Sequence, residues 1–123
     1  MEMKHTLKTM NESQLQQQCV KWFNLQYPKL ILFAIPNGGN RNPREASKLK
    51  REGTLSGVSD LFLAEPSGKS HGLFIEMKVK PNKMTSNQIT FAKRVQESNY
   101  HFECCYSFDA FMKIVNNYLT NDI

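Results

Sequence analysis

The sequence predicts an α/β fold in which helices flank a central mixed β-sheet. Segments with helical spacing of apolar residues alternate with short apolar runs of strand length, in the order α-β-α-β-β-α-β-α. At 123 residues the chain has the length of one domain, so we expect a single domain over residues 1–123. Hydrophobic residues make up 40% and charged residues 22% of the chain, a composition typical of a folded globular domain.

The first two elements are bounded by residues that cap or break regular structure. Apolar residues at helical spacing predict a helix from Glu12 to Tyr27-Pro28, with Asn11 or Ser13 as its cap. An apolar run over residues 30–35 then stops at a segment rich in Asn and Gly, which indicates a buried strand entering a loop.

The next three elements are a helix and a hairpin. Pro43 can start the second helix and Gly53 can end it. Two apolar runs, 60–64 and 73–79, are separated by a turn at Pro66-Ser67-Gly68. This pattern predicts a β-hairpin with a loose connection.

The last three elements are a helix, a strand and a helix. Thr85 or Ser86 can cap the third helix, whose expected inward residues are Ile89, Ala92 and Val95. Residues 100–106 form the last predicted strand. The final helix is indicated by the spacing of Phe108, Phe111, Met112, Val115 and Leu119.

Composition narrows the possible partners and compartments. The 16 basic and 11 acidic residues give a net charge of +5, which suits nucleic acid or an anionic membrane surface. The longest aliphatic run, 30–35, is far shorter than the ~20 residues that span a bilayer. The first 18 residues are polar and resemble no secretory signal. Three cysteines without a C-x-x-C spacing favour buried free thiols in a reducing cytoplasm.

Two carboxylates and a lysine stand at unusual places in the hairpin. Asp60 is at the head of one apolar strand, and Glu76 and Lys78 are inside the other. Alternation along a strand puts Glu76 and Lys78 on one face, and pairing of the strands would bring Asp60 close to Glu76. Adjacent carboxylates repel, and Mg²⁺ or Mn²⁺ bound between them removes that conflict. The alternative is an exposed Glu76–Lys78 ion pair with Asp60 as a strand-start cap.

The same residues resemble a nuclease signature. Asp60, followed after a turn by Glu76-Met77-Lys78, looks like the PD-(D/E)XK motif, and the fuller pattern resembles the VRR-NUC (virus-type replication-repair nuclease) family. The matching stretches are Glu12-Ser13-Gln14-Leu15-Gln16, Ile35-Pro36-Asn37-Gly38-Gly39, Gly57-Val58-Ser59-Asp60-Leu61, Gly72-Leu73-Phe74-Ile75-Glu76-Met77-Lys78 and Ser86-Asn87-Gln88. The resemblance implies a restriction-endonuclease-like core. One departure is Ser59, where the motif has proline.

The resemblance also implies roles for individual residues. The implied ligands of Mg²⁺ or Mn²⁺ are Asp60, Glu76 and the backbone carbonyl of Met77. Lys78 would be the catalytic lysine, Gln88 would support the site, and Glu12 matches the additional acidic residue of the family. Taken without the family, Glu12 could simply favour the dipole of its helix, and Gln88 could be an ordinary polar helix residue.

Basic residues lie on both sides of this motif in the sequence. The predicted DNA contacts are Arg41, Arg44, Lys48, Lys50, Arg51, Lys80 and Lys83. Clustered positive charge is what phosphate binding needs, although a solvated helix face has the same composition. No aromatic residues interleave the basic ones, so the sequence does not indicate a platform on which bases stack.

These observations lead to one functional hypothesis and one alternative. We expect a metal-dependent DNA endonuclease, selective for branched or junction DNA in replication, repair or recombination. The alternative is a non-catalytic DNA-binding module with the same fold. The resemblance further implies a stand-alone phage or bacterial protein that acts as a homodimer. Phe108, Phe111 and Tyr118 could form the dimer contact, or could belong to the core.

Overall fold

A computed structural model, which describes residues 10–36 and 42–121, has four helices and four strands within these ranges. The elements are α1 (Glu12–Gln26), β1 (Leu32–Ala34), α2 (Pro43–Arg51), β2 (Leu61–Leu63), β3 (Leu73–Met77), α3 (Ser86–Glu97), β4 (His101–Cys105) and α4 (Phe108–Leu119). This confirms the predicted order and the α/β class. No helix in these ranges is long and apolar enough to cross a bilayer.

The four strands form one mixed sheet in the order β1-β2-β3-β4. β1 and β3 both pair antiparallel with β2, and β4 runs parallel to β3 after the crossover through α3. The predicted hairpin of β2 and β3 is therefore confirmed. Its register places Leu61 opposite Ile75, so continuing it by one residue places Asp60 opposite Glu76.

The two faces of the sheet have different partners. One face packs against α1 and α4 and carries the apolar core, which consists of Leu15, Cys19, Phe23, Leu61, Leu63, Leu73, Ile75, Met77, Cys105, Phe111, Val115 and Tyr118. The other residues of β3, Phe74 and Glu76, lie on the face that packs against α3. The ring of Phe74 lies 5.1 Å from that of Phe91 there. Because Glu76 shares this second face with Phe74, the core leaves it available for chemistry.

Helix caps fix where α1 and α3 begin. The side chain of Asn11 accepts a hydrogen bond from the Gln14 N–H, and the Gln14 side chain accepts one from the Asn11 N–H. Thr85 and Gln88 form the same reciprocal capping box at α3. Of the alternatives left open by the sequence, Asn11 and Thr85 are therefore the caps.

Two expectations about packing are corrected or resolved. Ile89 was expected to face inward but is 48% exposed, because α3 turns Ala92 toward the sheet instead. Phe111 and Tyr118 are completely buried, so they belong to the core and cannot supply a dimer contact. Phe108 packs against the same core.

The cysteines behave largely as expected. Cys19 and Cys105 are buried free thiols, whereas Cys104 is only half-buried. Burial, followed by the neighbouring Cys105, raises the pKa of Cys19 to about 12. A thiol with such a pKa carries almost no thiolate at neutral pH and is chemically inert.

Candidate active site

A cleft of about 470 Å³ opens where β2 begins and β3 ends. α2 and the loop over residues 54–58 line one part of it, and α1 and α3 each contribute a side chain. The residues predicted to be catalytic all line this cleft, namely Glu12, Asp60, Glu76, Lys78 and Gln88. The structure thus gathers five side chains that are spread over 77 positions of the sequence.

Asp60 and Glu76 are held by the backbone and side chains around them. The Met77 N–H donates to Oδ2 of Asp60 at 2.8 Å, which ties the carboxylate at the head of β2 to β3. Gln88 Nε2 donates to Oε2 of Glu76 at 3.0 Å. Lys78 Nζ lies 3.7 Å from the same oxygen, so one oxygen of Glu76 receives both partners.

The other oxygen of Glu76 has no hydrogen-bond donor among the described residues. Glu76 is only 3% exposed and its Oε1 atom is buried, and the carboxylate of Asp60 is close enough to accept a hydrogen bond from Glu76 when Glu76 is protonated. Burial first, and then the negative charge of Asp60, raises the pKa of Glu76 to about 8, although Lys78 opposes the change. Without a metal, this carboxyl group therefore keeps its proton to a higher pH than an ordinary glutamate does.

The donor set fits a hard divalent cation. No group of three or more His, Cys, Asp or Glu side chains forms a metal cage within residues 10–36 and 42–121. Mg²⁺ and Mn²⁺ do not need one, because one or two carboxylates completed by water and substrate phosphate are their usual environment. The Oε1 atom of Glu76, which has no hydrogen-bond donor among the described residues and lies beside the carboxylate of Asp60, fits as an oxygen ligand of such an ion. Whether the Met77 carbonyl also binds the ion stays a prediction.

Gln88 has two contacts, one in the helix cap and one in the site, whereas the sequence left open whether it supports the site at all. Its Oε1 atom accepts the Thr85 N–H as part of the helix cap, while its Nε2 atom donates to Glu76. The cap therefore fixes the orientation of the amide that holds the buried carboxyl. Glu12, on the first turn of α1, is half-buried, and its Oε2 atom accepts from Asn82 Nδ2 at 3.2 Å. Its charge contributes a smaller part of the raised pKa of Glu76.

The predicted DNA-binding residues are spread over a wider surface than the predicted catalytic residues. Lys50 lines the cleft, whereas the others within the described residues are exposed outside it: Arg44, Lys48, Arg51, Lys80 and Lys83. Lys48 Nζ lies 3.9 Å from Glu52 Oε2, and Arg51 donates to Ser47. Arg41 lies outside the described residues. DNA contact by this set stays a prediction.

The loop over residues 54–58 contributes more to the cleft than its sequence suggested. Asn87 Nδ2 donates to Ser56 Oγ at 3.0 Å, which fastens the loop to the start of α3. Gly57 has a φ of +92°, and a Cβ atom there would lie 2.4 Å from the Asn87 carbonyl oxygen. The glycine at the start of the stretch Gly57-Val58-Ser59-Asp60-Leu61 was the available signal, but only the fold shows that it permits this close approach.

Comparison with known proteins gives a consistent result. The family model described as the VRR-NUC domain matches residues 10–109. A solved structure described as a VRR_NUC domain protein superposes with a TM-score of 0.77 at 22% identity, covering 93% of this chain and 92% of that one. No curated protein matches this sequence. The family match includes every side chain predicted to be catalytic, and the superposition supports the same overall fold.

Proposed function

The chain belongs to the VRR-NUC family, and we propose that it is a Mg²⁺- or Mn²⁺-dependent endonuclease that hydrolyses phosphodiester bonds in branched DNA. One observation carries the proposal. A buried glutamate, Glu76, presents an oxygen that has no hydrogen-bond donor next to the carboxylate of Asp60, and Lys78 lies 3.7 Å from the other oxygen of Glu76. An exposed ion pair with Asp60 as a strand-start cap does not explain this arrangement, because the pair is buried and the two carboxylates lie close enough to raise the pKa of Glu76.

Each residue of the site would have a separate task. Asp60 and Glu76 would hold the metal ion, which when bound polarises the phosphodiester and lowers the pKa of a water molecule. The Met77 N–H keeps Asp60 in place, and Gln88 keeps Glu76 in place. The residues on which the ion depends are thus positioned before it binds.

Lys78 would act on the substrate. Lys78 is only 8% exposed and lines the cleft, so water screens the positive charge of its ammonium group only weakly. It can orient the attacking water molecule or neutralise the negative charge that grows on the phosphate as the bond breaks. Lys50 also lines the cleft and would contact the phosphate of the bound strand.

The selectivity for branched DNA and a homodimeric assembly are part of the proposal. A single site of this kind cuts one strand, so symmetric cutting of a junction requires two copies related by a twofold axis. Sedimentation equilibrium should then give about twice the 14.2 kDa mass of the chain. A monomer at all concentrations that support symmetric junction cleavage would contradict the dimer.

A substrate panel tests the proposed activity. Junction, flap, splayed-arm, duplex and single-stranded DNA would be incubated with wild type, Asp60→Asn and the matched surface control Glu97→Gln in Mg²⁺ or Mn²⁺. We expect wild type and the control to cut branched DNA and Asp60→Asn to lose at least about a hundredfold in rate, as expected for loss of a metal ligand. A wild-type protein that binds these substrates but cuts none would instead be the non-catalytic module.

A further inference from the structure

A second cleft, of about 830 Å³, adjoins the active-site cleft. It lies between the loop over residues 53–56 and the outer part of α3, and we call it the aromatic cleft. Three half-buried rings line it, those of Phe74, Phe91 and Tyr100. No residue of the proposed catalytic set lines it, so the established family site does not account for it.

The rings form a fixed arrangement that the fold assembles from three elements. The Phe74 ring lies 5.1 Å from Phe91 at an interplanar angle of 89°, and 5.5 Å from Tyr100 at 54°. Phe74 is on β3, Phe91 is on α3, and Tyr100 directly precedes β4. The ring of Phe62 packs behind them, 4.5 Å from Phe74 and 6.1 Å from Tyr100. The three half-buried rings are therefore held without rotating freely, and little conformational entropy is lost when a flat group packs on the part that stays exposed.

Cations and a shared boundary connect this cleft to the proposed site of cleavage. Lys50 and Arg94 line the aromatic cleft, and Lys50 lines the active-site cleft as well. Three loop residues also line both clefts: Thr54, Leu55 and Ser56. A ligand could therefore pass from one cleft to the other while Lys50 contacts its negatively charged backbone.

We propose that the aromatic cleft receives an unpaired base of the DNA strand whose phosphate lies in the active-site cleft. Aromatic faces with flanking cations are the surface that single-stranded nucleic acid uses, because the base stacks and the phosphate is neutralised. A base inside a continuous duplex is stacked on both faces and cannot enter, whereas a base at a flap or branch point can leave the stack. The substrate is therefore DNA that presents an unpaired or unstacked nucleotide next to the cut, a claim that rests on the proposed nuclease function and specifies its substrate.

Fluorescence of an unpaired base tests this directly. A flap duplex carrying 2-aminopurine at its first unpaired position would be titrated with protein in Ca²⁺. The variants are Phe91→Leu and Tyr100→Leu, which remove a ring but keep apolar volume. The matched control is Phe33→Leu, because Phe33 is 47% exposed, pairs with Phe62 in the sheet, and does not line the aromatic cleft.

Stacking should quench the fluorescence with wild type and with the control. Each variant should lose most of the quenching and bind the flap roughly fivefold or more weakly, while its affinity for fully paired duplex changes less than about twofold. Photo-crosslinking of 5-iodouracil at the same position to wild type should label the peptides that contain Phe91 or Tyr100. This readout needs no variant, so it holds even if a substitution impairs folding.

Several results would overturn the proposal. Unchanged quenching in both variants would do so, as would equal weakening for flap and duplex, or crosslinks that map elsewhere. So would variants that dissociate a dimer without affecting the base, because a second copy of the chain would then occupy the cleft. Failure of cleavage in Mg²⁺ with the base still quenched would refute the nuclease function and leave the base site standing.

Discussion

Glu76→Gln should stabilise the protein without metal, and the gain should grow as the pH rises. In the folded chain the pKa of Glu76 is raised to about 8 by burial and by Asp60, whereas its ordinary value is 4.5. Between these two values the folded protein keeps a proton that the unfolded chain releases. The free energy of unfolding therefore falls as the pH rises, by up to about 1.4 kcal/mol per pH unit from this one group.

The glutamine variant has no such proton to lose. The glutamine side chain occupies nearly the same volume as the glutamate. Its amide oxygen can accept the hydrogen bond that Gln88 donates to Glu76 in wild type. Relative to wild type, its free energy of unfolding should rise by about 2–3 kcal/mol between pH 5 and pH 7. The contribution of Glu76 to the stability of wild type is fully present below pH 4.5 and is lost progressively as the pH rises to about 8.

Urea denaturation in EDTA at pH 5, 6 and 7 measures this difference. The matched control is Glu97→Gln, which removes an exposed carboxylate from the end of α3 and should stay within about 0.5 kcal/mol of wild type at each pH. A difference between Glu76→Gln and wild type that is the same at pH 5 and pH 7 would refute the reasoning. Added Mg²⁺ should raise the stability of wild type at pH 7 and leave the variant unchanged.

Three other predictions concern DNA binding, positioning and the loop. Arg44→Glu with Lys48→Glu should weaken duplex binding and reduce the slope of log K against log salt by about 2, and an unchanged slope would remove α2 from the interface. Gln88→Ala should slow single-turnover cleavage by roughly 10–100-fold, and a rate within twofold of wild type would contradict its positioning role. Gly57→Ala should lower the urea midpoint by the equivalent of about 1–3 kcal/mol, because it adds a clash with α3 to the strain of positive φ. Gly53→Ala, which meets nothing within 4 Å, should cost less, and equal losses would show that the clash is unimportant.

The sequence was sufficient to predict the carboxylate pair, for a simple geometric reason. Asp60 stands at the head of β2 and Glu76 lies near the end of β3, and the antiparallel register that pairs Leu61 with Ile75 on the core face brings them together on the other face. Alternation along β3 likewise placed Glu76 and Lys78 on one face. The predicted sequence of elements is confirmed because each segment has a clear period and a cap or breaker at its ends.

Other features depend on packing that no local pattern specifies. Helical spacing grouped Arg44, Lys48 and Arg51 on α2, but it could not show that Lys50 is the one that lines the cleft. Ile89 was placed inward by its spacing, whereas the position of α3 on the sheet leaves it exposed.

The aromatic cleft was missed for a related reason. No aromatic residues stand among the basic residues of the sequence, so no local segment predicts a stacking surface. Phe74 and Tyr100 are 26 positions apart in the sequence and meet only because β3 and β4 are neighbours in the sheet. Nothing in either local segment indicates that they approach each other next to Lys50.

The most direct test of the central claim is single-turnover cleavage of a four-way DNA junction by wild type and Glu76→Gln in Mg²⁺. The variant should be at least as stable as wild type at pH 7, so a loss of activity cannot be attributed to unfolding. If Asp60 and Glu76 hold the catalytic ion, wild type cuts the junction and the variant is slower by at least about a hundredfold. A variant that cuts as fast as wild type would contradict the assignment of the metal site.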